Sequence, residues 1–463
     1  MSKRTIVEAL AKLGHRTIPN NFYDHIELWK EWYEGQAKFH QYTVYNGVAR
    51  ISKVRKTLGM AKKMSEDKAD LLLNEKVEIN VEQKATQEYL DTVLDTNNFW
   101  VRGNELVELS QALGTGAFVE YLDGEDVNID YIPAENIFPL AYDNGEITDC
   151  AFASEFSDKT GKYYYIQIHT KNASGLYEVE NVIITEEGAK GELPEDMEQI
   201  WITGSEKPMF QIIKPNLVNN VDRAVPMGIS VFANSIPLLE GLDLVYDSYD
   251  NEFQLGKKRI FIDTSLLQID YEKGESKPLF DTNDTTFYGF NMGSDENKKK
   301  PIEESNMQIR AQEHELALQS RLNILSSKCG FGQNYYQFDH AGVKTATEVV
   351  SENSQLFRRI KKDEIILEKA LTDMVRAVLF LGNKNTEEEI SIAFDDSIVE
   401  DTDAIMKRSL LELQSGLIDN VVYYQRVYGY TEEQAVDFDN KIKARAPQPE
   451  NVDFFAGGDG GDE

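Results

Sequence analysis

One uninterrupted helical pattern constrains this chain more than any other feature. Residues 345–381 contain neither Gly nor Pro, and Thr345 and Glu348 have the S/T-x-x-E spacing of a capping box, which predicts a helix start. Gly382 and Asn383 predict its end. Apolar residues recur between them at steps of three, four or seven, namely Val349, Leu356, Ile360, Leu367, Leu371, Met374 and Val378. A helix of this length spans about 55 Å. It must therefore connect separate layers, or cross the core of a large α/β protein.

The charge of the chain is strongly uneven. Its formal net charge is −32 over 463 residues, yet residues 1–65 carry twelve Lys or Arg and five Asp or Glu, a net of +7, which leaves −39 for the rest. Tight binding to phosphates needs clustered Lys and Arg, so the acidic body argues against it. Two interpretations of the basic arm stay open: a solvated pair of helices, or an arm that docks on an acidic neighbouring subunit.

The N-terminal half mixes helical and strand patterns, and we predict an α+β domain over residues 1–235. Residues 46–56 mix apolar and basic side chains and are interpreted as helix or turn. Alternating or β-branched runs between turn signals predict strands at 117–122, 127–132, 147–156, 163–169 and 176–184.

The pattern changes after Pro226. Residues 236–257 and 307–328 are predicted helices that bracket a small β insertion, with strands at 259–262 and 286–290. Residues 329–344 contain three glycines and several aromatics without helical periodicity, so they form a predicted loop that leads into the long helix. A strand at 389–394, helices at 401–417 and 431–446 and a disordered acidic tail complete the predicted elements.

Motifs for catalysis, metals and cofactors are missing from the sequence. There is no GxxxxGK[S/T], no HxxxH or HExxH and no CxxC, so we predict no catalytic residue, metal site or cofactor. Cys150 and Cys329 are expected to be reduced structural thiols. No run approaches 18 apolar residues, which predicts no membrane segment. One alternative from another class stays open: an acidic, carboxylate-dependent hydrolase with the long helix in its core.

Four short motifs in a fixed order resemble the portal proteins of tailed bacteriophages, the head-tail connectors, in particular those of phages with Gram-positive hosts. They are Ala69-Asp-Leu-Leu-Leu-Asn-Glu-Lys-Val77, Ala112-Leu-Gly-Thr-Gly-Ala-Phe118, the segment VNIDYIPAENIFP at 127–139, and Gly342-Val-Lys-Thr-Ala-Thr-Glu-Val349. Each motif is weak alone, but together they surround a helix, insertion, helix, loop and long-helix series. The resemblance covers nearly the whole chain.

This resemblance implies a non-enzymatic virion protein at the capsid portal vertex, assembled in the host cytoplasm. Its subunits, usually twelve, form a ring through which double-stranded DNA is packaged and ejected without sequence specificity. The implied partners are the terminase, the tail adaptor and the major capsid and scaffold proteins. A portal-like scaffold from a defective prophage is a further alternative.

The resemblance also divides the chain into portal segments. It implies a wing (1–235), stem helices (236–257 and 306–328), a clip (258–305), a tunnel loop (329–344), a long helix with its return to the wing (345–396) and a helical crown (397–463). The implied channel residues are Tyr335, Tyr336, Gln337, Phe338, Asp339 and His340, and packing inside the loop is the alternative role for these aromatics. Basic residues of the clip or exit would be Lys257, Lys258, Arg259, Lys298, Lys299 and Lys300, with ordinary solvated charge as the alternative.

Overall fold

The computed structural model divides the chain into two compact units. The first comprises Met1–Ala341 and Gln355–Asp395, and the second comprises Gly342–Ser354 and Asp396–Glu463. The structure describes residues 3–445 except 46, 48, 158, 160, 195–196, 264–267, 271–274, 278–286, 291–301, 338–345 and 395–401. Thr345 of the predicted capping box and the predicted tail beyond 445 therefore lie outside the described residues.

Helices and strands alternate along the described residues in a mixed order. The helices are α1 (Lys3–Lys12), α2 (Asn20–Tyr33), α3 (Met60–Leu72), α4 (Lys84–Thr96), α5 (Phe99–Leu113), α6 (Ile236–Leu255), α7 (Ala311–Cys329), α8 (Ala346–Leu381), α9 (Thr402–Gln414), α10 (Asn420–Tyr428) and α11 (Glu432–Arg445). The strands are β1 (Gln41–Tyr45), β2 (Arg50–Val54), β3 (Glu78–Val81), β4 (Gly116–Asp123), β5 (Asp126–Pro133), β6 (Ile137–Asp143), β7 (Glu146–Ser157), β8 (Lys162–Lys171), β9 (Tyr177–Thr185), β10 (Ile200–Ile202), β11 (Phe210–Ile213), β12 (Arg259–Asp263), β13 (Gln268–Asp270), β14 (Glu275–Lys277), β15 (Phe287–Phe290), β16 (Ile302–Ser305) and β17 (Ile390–Ala393). These elements confirm an α+β protein.

Two antiparallel sheets form the β part of the N-terminal region. One has the strand order β10-β9-β8-β7-β6 and the other has the order β11-β4-β5. The predicted strands between 117 and 184 are confirmed as β4, β5, β7, β8 and β9, whereas β6 and the helix α4 were missed. The interpretation of residues 46–56 as helix or turn was wrong, because β2 pairs there with β1 as an antiparallel hairpin.

The basic arm is partly neutralised within its own subunit. Lys3 pairs with Glu27 at 3.0 Å and Lys30 with Glu135 at 3.0 Å. Helices α1 and α2 are not merely solvated, since Leu10 of α1 is fully buried and Trp29 of α2 is only 1% exposed. These contacts hold the first two helices on the body of the first unit.

Helices α6 and α7 pack against each other and bracket the β insertion, as predicted. Near its insertion end the pair is joined by a bidentate contact, in which the Arg310 guanidinium donates to both carboxylate oxygens of Glu252 at 3.0 and 2.9 Å. This contact lowers the pKa of Glu252 to about 2. In the insertion, β12 pairs with β15 in parallel and with β16 antiparallel. The described part of the insertion therefore consists of this three-stranded sheet and a two-stranded sheet of β13 and β14, and it lies between the two helices in the sequence.

The long helix α8 confirms the predicted helix from Ala346 to Leu381. From Leu356 onward its apolar stripe faces the core of the first unit, where Leu371, Met374 and Val378 have no exposed area. Leu356, Ile360 and Leu367 are also buried. Ile365 lies on the other face and is 64% exposed. The sequence alone could not decide whether the stripe packs within the subunit, and from Leu356 to Val378 it does.

Glu120 is a buried carboxyl in the middle of β4. Its side chain has no exposed area, its Oε2 lies 3.5 Å from the Gln211 amide nitrogen, and its Oε1 has no hydrogen-bond partner among the described residues. Burial raises the pKa of Glu120 well above the ordinary range of a carboxyl. At a pH between the ordinary carboxyl pKa and the raised one, Glu120 is therefore protonated in the folded state and ionised in the unfolded chain.

Replacing Glu120 should make the stability less dependent on pH. Because the folded-state pKa is raised, the native protein is stabilised below the ordinary carboxyl pKa and loses that contribution as pH rises towards the raised value. We expect Glu120→Gln to melt at a higher temperature than the native protein at neutral pH, and the gain to vanish in acid. Thermal unfolding between pH 4 and pH 8 measures this difference. Glu125→Gln, at an exposed turn, is the control, and a constant difference between Glu120→Gln and the native protein would contradict the expectation.

Candidate functional site

The chain turns sharply after α7, and the turn depends on two glycines. Gly330 and Gly332 have φ values of +88° and +93°, in the left-handed region that favours glycine. A Cβ at Gly330 would lie 3.0 Å from Cγ of Arg359. The Phe331 N–H donates to the Ser326 carbonyl at 3.0 Å, as at other helix C-termini that end in glycine. This turn brings the start of the predicted loop against α8.

Three aromatic rings form the root of the loop. The centroids of Phe331, Tyr335 and Tyr336 lie 4.9 to 5.4 Å apart, and Phe331 is 1% exposed. The Tyr336 hydroxyl donates to Oδ2 of Asp67 on α3 at 2.9 Å. Burial, followed by the charge of Asp67, raises the pKa of Tyr336 above its ordinary value. The root of the loop is therefore fixed to α3 by a hydrogen bond with a charged acceptor.

A buried cluster of charges lies directly behind these rings. Lys68 of α3 and Asp363 of α8 are both buried, with Nζ 3.6 Å from Oδ2, and Nε of Arg359 lies 3.6 Å from the same oxygen. The other oxygen of Asp363 accepts the backbone N–H of Asn216 at 2.9 Å. The Lys68 ammonium lies 5.3 Å from the centroid of Phe331. Burial lowers the pKa of Lys68 to about 8, against the opposing effect of Asp363.

Together these contacts hold the loop root from two sides. Tyr336 is bonded to α3, and Phe331 packs on the Lys68 ammonium, which pairs with α8. A buried ion pair tolerates little displacement, because separating the two residues would leave each charge buried without an opposite charge beside it. The described end of the loop, up to Gln337, is therefore held in a fixed position on the first unit.

The predicted loop residues divide into two groups. Tyr335 and Tyr336 pack in the root, although Tyr335 is still 37% exposed. Burial and the nearby carboxylates Asp67 and Asp70 raise the pKa of Tyr335 to about 12. Gln337 follows them and is partly exposed. Phe338, Asp339 and His340 lie outside the described residues.

Of the predicted basic residues near the insertion, three lie among the described residues and three lie outside them. Lys257 is exposed, Lys258 forms an ion pair with Glu304 of β16, and Arg259 begins β12 opposite Ser305. Lys298, Lys299 and Lys300 lie outside the described residues. The ion pair of Lys258 is exposed and adds little stability.

Sequence reasoning missed the charged residues that support the loop, namely Asp67, Lys68 and Asp363. One signal could have found Lys68: it lies four residues from Met64 and from Leu72, which are both buried, so it occupies the apolar face of α3. A lysine in that position needs a buried partner. No comparable local signal marks Asp363 as that partner.

A groove of about 730 Å³ runs beside α8. Its walls include Lys369, paired with Glu146, and Asp373, paired with Arg376 at 3.7 Å. Two of the carboxylates that line the groove, Glu146 and Asp373, are thus paired with cations. The described residues contain no group of three or more His, Cys, Asp or Glu side chains that could hold a metal ion. Within the same residues, no helix is long and apolar enough to cross a membrane.

Comparison with known families identifies the class of protein. Residues 16–447 match the family described as "Phage portal protein, SPP1 Gp6-like". The chain is therefore a phage portal protein, of the class that forms an oligomeric ring at the portal vertex of the capsid. Within that class it belongs to the SPP1 Gp6-like family. No curated protein matched the chain significantly. The family is structural, which favours the portal interpretation over the hydrolase.

Proposed function

We propose that the ring of these subunits is the conduit through which double-stranded DNA is packaged and ejected, and that the loop of residues 329–344, through Tyr335, Tyr336, Gln337, Phe338, Asp339 and His340, contributes the contacts with the DNA. The observation that carries this proposal is the doubly anchored loop root. Tyr336 on Asp67 and Lys68 on Asp363 fix the point from which the loop emerges. A loop that meets a moving polymer needs such a fixed base, because otherwise contact with DNA would displace it.

The charge distribution supports sliding rather than binding. Outside the first 65 residues the chain carries a net charge of −39, and like charges repel the phosphate backbone. A conduit that held phosphates through many Lys and Arg contacts would retain its DNA instead of passing it. We therefore infer contacts without sequence specificity, made by the loop through shape and weak polar groups.

We further propose that the segments follow the portal plan. Residues 1–235 would form the wing, α6 and α7 the stem, residues 258–305 the clip and residues 397–463 the crown of a ring of twelve subunits. The helix pair that brackets these small sheets in the sequence supports the stem and clip assignment. The clip would receive the terminase and later the tail adaptor, with Lys257, Lys258, Arg259 and Lys298–Lys300 around the exit. The major capsid and scaffold proteins would contact the outer surface of the ring.

The loop can be tested without disturbing its anchors. We expect a variant in which Phe338, Asp339 and His340 are replaced by Gly, Ser and Gly to form normal rings, because Tyr336 and the Lys68 cluster remain. The DNA recovered per particle in a packaging assay should fall by about tenfold, on the order of a 1.4 kcal/mol effect. Negative-stain images of the rings and nuclease-protected DNA measure the two quantities.

Glu125→Ser, in the exposed turn between β4 and β5, serves as the control and should package normally. Unchanged packaging by the loop variant would remove the loop from the mechanism. Failure of the variant to form rings would instead assign the loop a structural role.

A further inference from the structure

The β1–β2 hairpin is an exposed surface that its own subunit leaves largely uncovered. Of its ten strand residues, all but Tyr42 are exposed, including Val44 (39%), Ile51 (42%) and Val54 (75%). An isolated two-stranded hairpin is marginally stable in water. It is tied to the body at its base, where the Arg55 guanidinium lies 4.1 Å from the Phe39 centroid and 4.8 Å from that of Tyr42. A surface of this kind needs a partner.

The register divides the exposed side chains of the hairpin between two faces. The register places Val44 opposite Ile51 and Tyr42 opposite Lys53, so these four side chains share one face. Arg50 lies opposite Tyr45 on the other face. Lys53 has no ion-pair partner among the described residues. The Val44 face is thus an apolar pair with an adjacent cation.

The edge strand β10 has the complementary composition. Ile200 and Ile202 are 53% and 57% exposed, and they lie opposite Glu180 and Glu178 of β9, on the same face of the sheet. β10 is the outermost strand of its sheet. Since Gln199 and Thr203 make the hydrogen bonds to β9, the backbone groups of Ile200 and Ile202 point to the open edge. This surface is an apolar pair with adjacent anions.

We propose that the Val44 face of the hairpin of one subunit packs on the sheet face formed by Ile200 and Ile202 of the next subunit, with Lys53 against Glu178 and Glu180. The two surfaces are different parts of the same chain, so the contact is heterologous, and repetition around an axis closes a ring. Apolar pairs meet at the centre and opposite charges surround them, which fixes the register of the contact. The proposal rests on the oligomeric ring of the portal family and does not require DNA transport.

Charge reversal tests this contact in solution, without DNA. We expect Lys53→Glu to raise the protein concentration needed for half-assembly by about tenfold or more, because it places like charges together. Combining Lys53→Glu with Glu178→Lys and Glu180→Lys should restore assembly. Light scattering after size-exclusion chromatography measures the assembled fraction, and circular dichroism verifies that the unassembled subunits are folded.

Arg50→Glu is the matched control, since it makes the same charge change on the opposite face of the same hairpin and should assemble normally. Equal effects of Arg50→Glu and Lys53→Glu, normal assembly of Lys53→Glu, or failure of the triple variant to recover would each overturn the proposal. If the charge swap behaves as expected but loop variants package DNA normally, the interface stands and only the loop's role in the proposed function fails.

Cross-linking identifies which surfaces meet. Subunits with Val44→Cys mixed with subunits with Ile202→Cys should form disulfide-linked dimers under oxidising conditions, whereas a mixture with Thr43→Cys, on the other hairpin face, should not. The native Cys150 and Cys329 are buried and do not interfere. A chain carrying both Val44→Cys and Ile202→Cys that closes the disulfide within one subunit would overturn the proposal, because the hairpin would then lie on its own β10.

Discussion

Leu371→Asp should abolish folding of the subunit. Leu371 has no exposed area and lies in the middle of the buried stripe of α8. Truncating a buried Leu already costs about 2–5 kcal/mol, and an unpaired carboxylate adds a desolvation penalty of several kcal/mol more. The sum is comparable to the total stability of a typical domain, about 5–15 kcal/mol. We expect insoluble protein without rings, as measured by the soluble fraction and by negative-stain images.

Ile365→Asp is the control for this prediction. Ile365 lies on the same helix and is 64% exposed, so the same substitution should change the stability by no more than about 0.5 kcal/mol. Soluble, assembled Leu371→Asp rings would contradict the assignment of the stripe to the core. Aggregation of both variants would show that helix α8 tolerates no added charge on either face.

Asp363→Ala should be the most damaging single change near the loop. It leaves the Lys68 ammonium buried without its counter-charge and removes the acceptor of the Asn216 N–H. Breaking a buried ion pair by removing one partner costs about 3–5 kcal/mol. Lys68→Met should cost less, because Arg359 still lies beside Asp363. Thermal unfolding of the purified protein, followed by near-ultraviolet circular dichroism, measures both losses.

The double variant Lys68→Met/Asp363→Leu distinguishes two effects: the loss of the ion pair itself and the burial of a charge without its partner. With neither charge present, we expect it to recover more than half of the stability lost in Asp363→Ala, since hydrophobic replacement of a buried pair is often neutral. Asp373→Ala, at a partly exposed ion pair on the same helix, is the control and should change little. A double variant as unstable as Asp363→Ala would show that packing rather than charge dominates at this position.

Local patterns explain which elements could be predicted. The stripe of α8, the α6–α7 pair and β17 each carry their periodicity within one continuous segment, so the sequence alone was enough to predict them. The hairpin at β1 and β2 buries no face, so the alternation that reveals most strands is absent. The dipeptide Asn46-Gly47 between Tyr45 and Arg50 is typical of hairpin turns and could have revealed it.

The supports of the candidate site could not be predicted in the same way. The glycine-rich loop was recognisable, because Gly330 and Gly332 interrupt the helical pattern. The anchoring of this loop was not recognisable, since Asp363 lies almost 300 residues beyond Lys68 in the sequence and no local rule pairs the two. The hydrogen bond from Tyr336 to Asp67 could not be predicted either, because the two residues are almost 270 positions apart in the sequence.

The pairing of β17 with β3 determines when a subunit can finish folding. Ile390 lies opposite Val81, so β3 must wait for about 310 further residues to be synthesised. At roughly 5–20 residues per second this delay is about 15–60 s. Glu388 also joins these two distant segments, because its carboxylate accepts a hydrogen bond from the Thr86 hydroxyl at 3.0 Å. Nascent chains and truncated products that end before Ile390 lack this strand pairing.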